Sequence, residues 1–191
     1  MEANPRYGLA ITDAIFMNSR DGLTWNRFHE GFMGGEPENA YNWRYGDQYL
    51  MYNLLETPCE APQTGTELTI FSIGFSDETK KHLCRYTLRL DGFASYRADF
   101  DIKTLETKPF IFDGSELSIN FSTSPSCFCF IDILDETGKP IDGYHSCELF
   151  GNTTDRTVFF GDSEDVSKLA GRPVKLRFTM RDADIYSFIF R

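Results

Sequence analysis

The stretch "PVKLRFTMR", residues 173–181, alternates without a break: Val174, Leu176, Phe178 and Met180 are apolar, whereas Lys175, Arg177, Thr179 and Arg181 are polar or charged. A period of two residues places each set on its own side of an extended chain, so one side is dry and the other wet. "ELSINFS" (116–122) repeats the pattern, with Leu117, Ile119 and Phe121 set against Ser118, Asn120 and Ser122. Strands of this kind build antiparallel sheets that pack in pairs, with polar residues outside.

Working outward, further short strands are marked by turn residues on either side: "ELTIFSIG" (67–74), "LCRYTLRL" (83–90), "FASYRADF" (93–100), "CFCFIDIL" (127–134), "RTVFF" (156–160) and "DIYSFIF" (184–190). Asp-Gly pairs at 91–92, 113–114 and 142–143 supply the positive backbone angle that tight turns need. The single helical candidate is "EDVSKLAG", with Asp165 as its cap and Gly171 as its stop. Residues 66–191 therefore predict an all-β, antiparallel, jelly-roll-like β-sandwich.

Residues 1–65 read differently. "AIFMNSRDGLTWNRF" predicts a hairpin in which Ser19 and Asp21 accept backbone N–H groups across the turn and Trp25 packs over it. An aromatic loop, "HEGFMGGEPENAYNWRYGDQ", follows, then a strand "YLMYNLL" (49–55) and a connecting loop "ETPCEAPQTGTE". This is the grammar of a propeller-blade-like β-meander, yet the chain holds no second copy, and one blade cannot bury its own faces.

Composition narrows the function classes. The 191 residues carry a net charge of −10, which argues against a nucleic-acid partner, because that chemistry wants a basic stripe. Eighteen Phe and nine Tyr favour strands over helices. No apolar run reaches the roughly 20 residues of a membrane helix, and no signal-peptide pattern opens the chain. The five cysteines are odd in number and lack metal-ligand spacing, so no metal or other cofactor is expected, and free thiols point to a cytoplasmic location.

Several long motifs resemble, in order, the C-terminal third of a family of glycoside hydrolases. They are "IFMNSRDGLTWNRF", "LCRYTLRLDGFASYRA", "LETKPFIFDGSELSINFSTS", "IDILDETGKPIDGYHSCELFGN" and "DVSKLAGRPVKLRFTMRDADIYSFIF". Those proteins look like a five-bladed β-propeller of the β-fructosidase and arabinanase type followed by a β-sandwich. The resemblance implies that residues 1–65 are a last-blade remnant and residues 66–191 the appended sandwich. It also implies that the catalytic carboxylates lie in early blades, so no catalytic residue carries over and the chain alone is not expected to be an enzyme. The chain departs from the family at Phe128 and Phe130, where small or charged residues are usual, and at Phe159 and Phe160, where a Trp is usual.

Two candidate sites follow. Tyr41, Trp43, Arg44 and Tyr45, with Glu36 nearby, combine rings that stack on pyranose faces with groups that hydrogen-bond hydroxyls, so they are the candidate carbohydrate-binding residues. The alternative is that Trp43 and its neighbours pack blade onto sandwich. Phe128 and Phe130 point outward from a strand whose Cys127, Cys129, Ile131 and Ile133 face the core. They are covered by a loop or by the N-terminal segment, or else form a partner surface, with a second copy of the chain or missing blades as the partner. His29, His82 and His145 are scattered; His82 is placed in a charged turn and His145 in a loop.

Overall fold

The computed structural model describes residues 12–34, 49–59, 65–75 and 81–191. Within them the protein is all-β, with antiparallel sheets and one short turn of 3-10 helix, Ser167–Leu169. Two compact units emerge. The first takes the described residues up to Thr57 together with Glu67–Leu88, and the second takes the rest from Arg89 onward with the short link around Cys59. This division falls one hairpin later than the expected boundary at 65/66, because the strand pair that opens the expected sandwich forms a sheet with the strand before it.

In the first unit, β1 (Ala14–Asn18) and β2 (Asn26–Met33) form the expected hairpin. β3 (Leu55–Pro58), β4 (Thr66–Phe75) and β5 (Lys81–Arg89) form a three-stranded sheet in chain order. The strand expected at 49–55 reduces to one bridge, Leu50 to Ser72, and the pairing moves to Leu55–Pro58, which had read as loop. Polar groups explain the shift. Thr57 and Thr69 hydroxyls meet at 2.7 Å, and Arg85 donates to Glu67 at 2.9 Å and to Thr69 at 3.2 Å, which binds all three strands.

The second unit is organised by two long strands, β8 (Leu117–Asp135) and β11 (Val174–Phe190). Each fuses two stretches that the sequence separates. Their ladder runs from Val174 opposite Asp135 to Phe190 opposite Leu117. It is interrupted where Arg181 faces Phe128 and Ala183 faces Thr123, leaving Asp182 alone against Ser124–Cys127. Asp182 takes a φ of 41° and donates its N–H to Asp99 O at 2.7 Å. The inward set on β11 switches there from Val174, Leu176, Phe178 and Met180 to Ala183 and Ile185, all buried. The bulge, four residues of β8 against one of β11, accomplishes this without breaking the ribbon.

Short strands flank the ribbon at both ends. On one side of the interruption the order is β10 (Asn152–Thr157), β8, β11, β6 (Tyr96–Ala98). On the other side, β9 (Pro140–His145) pairs with β8 and β7 (Lys103–Glu106) pairs with β11. A single core collects the inward side chains of both halves: Leu117, Ile119 and Phe121 with Ile131, Ile133, Leu176 and Phe178. Two four-stranded layers that share one dry interior make a sandwich.

The wet face expected for "ELSINFS" is corrected by the structure. Ser118 and Asn120 are buried, and each is bonded by polar groups of the second unit itself. Arg89 donates from Nε to Asn120 Oδ1 at 2.6 Å, and Asn120 Nδ2 donates to Leu90 O at 2.8 Å. Ser118 Oγ donates to an oxygen of Asp155, whose second oxygen meets Arg191 at 3.0 Å. Both bonds hold the Asp155 carboxyl below the usual carboxylate range, that from Ser118 being the larger cause. The helical candidate is a single 3-10 turn in which Asp165 accepts the Ser167 N–H at 2.8 Å, and Gly171 stops it with a φ of 73°. Among the described residues no helix is long and apolar enough to cross a membrane.

Candidate functional site on the outer face of the sandwich

Residues on β8 alternate between core and exterior, so burial of Cys127, Cys129, Ile131 and Ile133 sends Phe128, Phe130 and Asp132 outward. The strand register then builds rows across four strands. Asp132 stands opposite His145 on β9 and Arg177 on β11, and Arg177 stands opposite Glu106 on β7. In the next row Phe130 faces Thr179, and beyond it Phe128 faces Arg181. Imidazole, carboxylate, guanidinium and carboxylate thus form a line of alternating character, with two aromatic rings beside it.

The groups in this line bond one another. His145 Nδ1 and Asp132 Oδ1 are 2.7 Å apart, and Arg177 bonds Glu106 Oε1 at 2.7 Å through Nε. Phe130 stacks on the His145 ring with centroids 5.4 Å apart and planes 17° apart, while Phe128 lies tilted at 5.3 Å from Phe130. Both phenylalanines are half-buried, so within the second unit part of their cover comes from His145. His145 belongs to the end of β9, not to a loop as expected, and its own side chain is 64% exposed against 20% for Asp132. Because Asp132 holds Nδ1, the imidazole is fixed in orientation with Nε2 turned away from that bond. Exposed pairs such as Arg177–Glu106 add little stability, under about 1 kcal/mol. What they provide is a flat polar surface with fixed hydrogen-bonding groups.

Tyr41, Trp43, Arg44, Tyr45 and Glu36, the expected carbohydrate-binding residues, lie outside the described residues. The hairpin turn before them is described, and Asp21 holds it. Asp21 Oδ1 accepts the N–H of Thr24 at 2.7 Å, that of Leu23 at 2.8 Å and the Ser19 hydroxyl at 3.0 Å. These bonds, the Thr24 N–H foremost, keep its carboxyl far below the ordinary range. Trp25 does not close over the turn as expected; it is 56% exposed. A folded pKa depressed in this way adds stability above the unfolded value and loses it as pH falls through the folded one. The Thr24 amide NMR shift is therefore expected to titrate well below the roughly 3.9 of a free aspartate, and not at all in Asp21→Asn. A midpoint near the free value would remove Asp21 from this role.

Two further features were not legible as sites. Asp184 accepts the Ser95 hydroxyl at 2.6 Å. Arg89 gathers Asn120, Asn152 and the carbonyls of Phe121 and Thr153 beneath the Tyr186 ring, whose centroid is 4.6 Å from its guanidinium carbon. Among the described residues no three or more His, Cys, Asp or Glu side chains gather as a metal site would require. Compared with protein-family models, curated proteins and solved structures, the chain matches none.

Proposed function

We propose that this chain is a non-catalytic, carbohydrate-associated module: a sandwich appended to a β-unit that completes a larger propeller of the glycosidase type. One contrast carries this reading. The second unit closes a core of its own, from Leu117 and Phe121 to Leu176 and Phe178. In the first unit Met17, Leu50, Met51, Leu55 and Leu83 are all exposed. Apolar side chains left open on β1, β3 and β5 and just before β3 suit a sheet that stacks against neighbouring blades. The order of the two units is also the order that the resemblance implies.

Sugar recognition within this reading belongs to the aromatic loop around Trp43, whose rings and charged groups match pyranose faces and hydroxyls. Titrating the purified chain with arabino- and fructo-oligosaccharides is expected to shift tryptophan emission, and Trp43→Ala is expected to abolish the shift. An emission spectrum indifferent to every sugar and to that substitution would remove sugar binding from this loop. Hydrolysis of a chromogenic glycoside by the chain alone, abolished by one acidic substitution, would overturn the non-catalytic part.

The row His145–Asp132–Arg177–Glu106 beside Phe130 favours a second reading, a stand-alone binding or assembly module that works through the outer face of the sandwich. Phe128→Ser distinguishes the two. It changes self-association in sedimentation if that face mediates assembly, and leaves it unchanged if the open strands of the first unit do.

A further inference from the structure

His82 and Cys84 stand two apart on β5, so their side chains share one side of the strand. The expectation of a charged turn at His82 separated them; the strand, which begins at Lys81, brings them together. Both reach over Gly74 of the neighbouring β4. A Cβ built on Gly74 would lie 2.8 Å from Cys84 Sγ and 2.8 Å from His82 Nε2, with the imidazole Cε1 at 3.0 Å. Thiol and imidazole nitrogen therefore converge on one point, and at most twice that radius separates them. Only glycine leaves the point empty, since any side chain would press on both groups. Gly74 itself is buried beneath them.

Cys59 is half-buried as Cys84 is, and three of the other four cysteines have different surroundings. Cys127 and Cys129 are buried in the sandwich, and burial pushes the Cys129 thiol up to about 12. Cys147 is exposed, and its thiol donates to Gly161 O at 3.4 Å. Cys84 is half-buried, next to an exposed histidine whose Nε2 can reach the thiol proton through one water. That combination of partial access and an adjacent base is what a reactive cysteine requires.

We propose that Cys84 is a peroxide-reactive thiol and that His82 takes up its proton as it reacts. In the step, the thiol proton passes to His82 Nε2 and Sγ attacks one oxygen of hydrogen peroxide. The S–O bond forms as the O–O bond breaks, and the departing hydroxide recovers the proton from the imidazolium and leaves as water. Sulfur loses two electrons and becomes a sulfenic acid, and the peroxide is reduced to water. His82 acts as a base on sulfur and Gly74 as the residue that lets the two meet.

The test uses the whole chain, dilute hydrogen peroxide and dimedone, with adducts mapped by mass spectrometry. Cys84 is expected to be labelled roughly tenfold faster than the more exposed Cys147, with Cys129 unlabelled until the protein is unfolded. His82→Ala is expected to bring Cys84 down to the rate of Cys147, and free imidazole to restore the rate in that variant only. Gly74→Ala, which drives the two groups apart, is expected to slow labelling with both of them still present. In urea the two cysteines should react alike, which separates placement from intrinsic chemistry. Equal folded-state rates for Cys84 and Cys147, or an unchanged rate in His82→Ala, would overturn the proposal. So would imidazole accelerating the wild type and the variant alike.

Discussion

Phe178→Ala should lower the stability of the sandwich by about 3–5 kcal/mol, the range for emptying a fully buried aromatic site. Phe178 is 1% exposed and occupies the middle of β11, opposite Ile131 on β8 and Leu105 on β7. Its ring also approaches Phe188, 6.0 Å away between centroids, which lies beyond the Asp182 bulge. The side chain therefore touches both halves of the long ribbon. Removing it opens a void at the place where the ribbon turns from one layer to the other, and rigid strands on both sides cannot collapse into it. Both tryptophans, Trp25 and Trp43, precede the sandwich in the chain, so their emission is the wrong probe. Hydrogen exchange of sandwich amides such as Ile131 and Val158 reports the loss directly. Phe178→Leu, which keeps most of the volume, should cost less than half as much. A loss under about 1.5 kcal/mol for Phe178→Ala would mean that the two layers do not share this core.

The alternation that makes Phe178 a core residue was plain in the sequence, as was the inward set Cys127, Cys129, Ile131 and Ile133. The fusion of strands was not. "RDAD" (181–184) reads as a turn because three of its four residues are charged, yet Asp182 merely absorbs one bulge and the ladder resumes at Ala183. "TSPS" (123–126) misleads in the same way. Pro125 cannot donate to a ladder, and it sits in the stretch where the ladder asks nothing of it. β7 and β9 are short edge strands, and "KTLE" and "PIDGYH" carry no periodic signal because pairing to β11 and β8 selects them. The outer face was half legible. Phe128 and Phe130 were visible as outward rings, whereas the imidazole that stacks on one of them is set by a register that no local pattern encodes. His82 and Cys84 needed only the correct strand start.

The furthest miss was Arg89, and its removal is the second large effect expected. β8 and β10 lose register between Thr153 and Arg156, so the ladder opens beside Phe121. Arg89 fills that opening: Nη2 donates to the carbonyls of Phe121, at 2.8 Å, and of Thr153, while Nε and Nη1 take the side-chain oxygens of Asn120 and Asn152. The guanidinium thus stands in for the missing ladder donors, and the Tyr186 ring screens it from above. Burial lowers its pKa, but a guanidinium keeps its charge at any pH at which the protein folds. Arg89→Met should therefore cost about 1–3 kcal/mol, because buried Asn120 and two strand carbonyls lose a charged donor in a half-buried site. Arg89→Lys should recover little of this. A single ammonium cannot span four acceptors that lie around a planar fork. In a double-mutant cycle, Arg89→Met with Asn120→Leu should cost less than the sum of the two changes, since each strands the other's partner. Additive losses, or an Arg89→Lys protein within about 0.5 kcal/mol of the parent, would mean that the strands close the bulge without the guanidinium. The buried Ser118–Asn120 face would then owe its dryness to β10 alone.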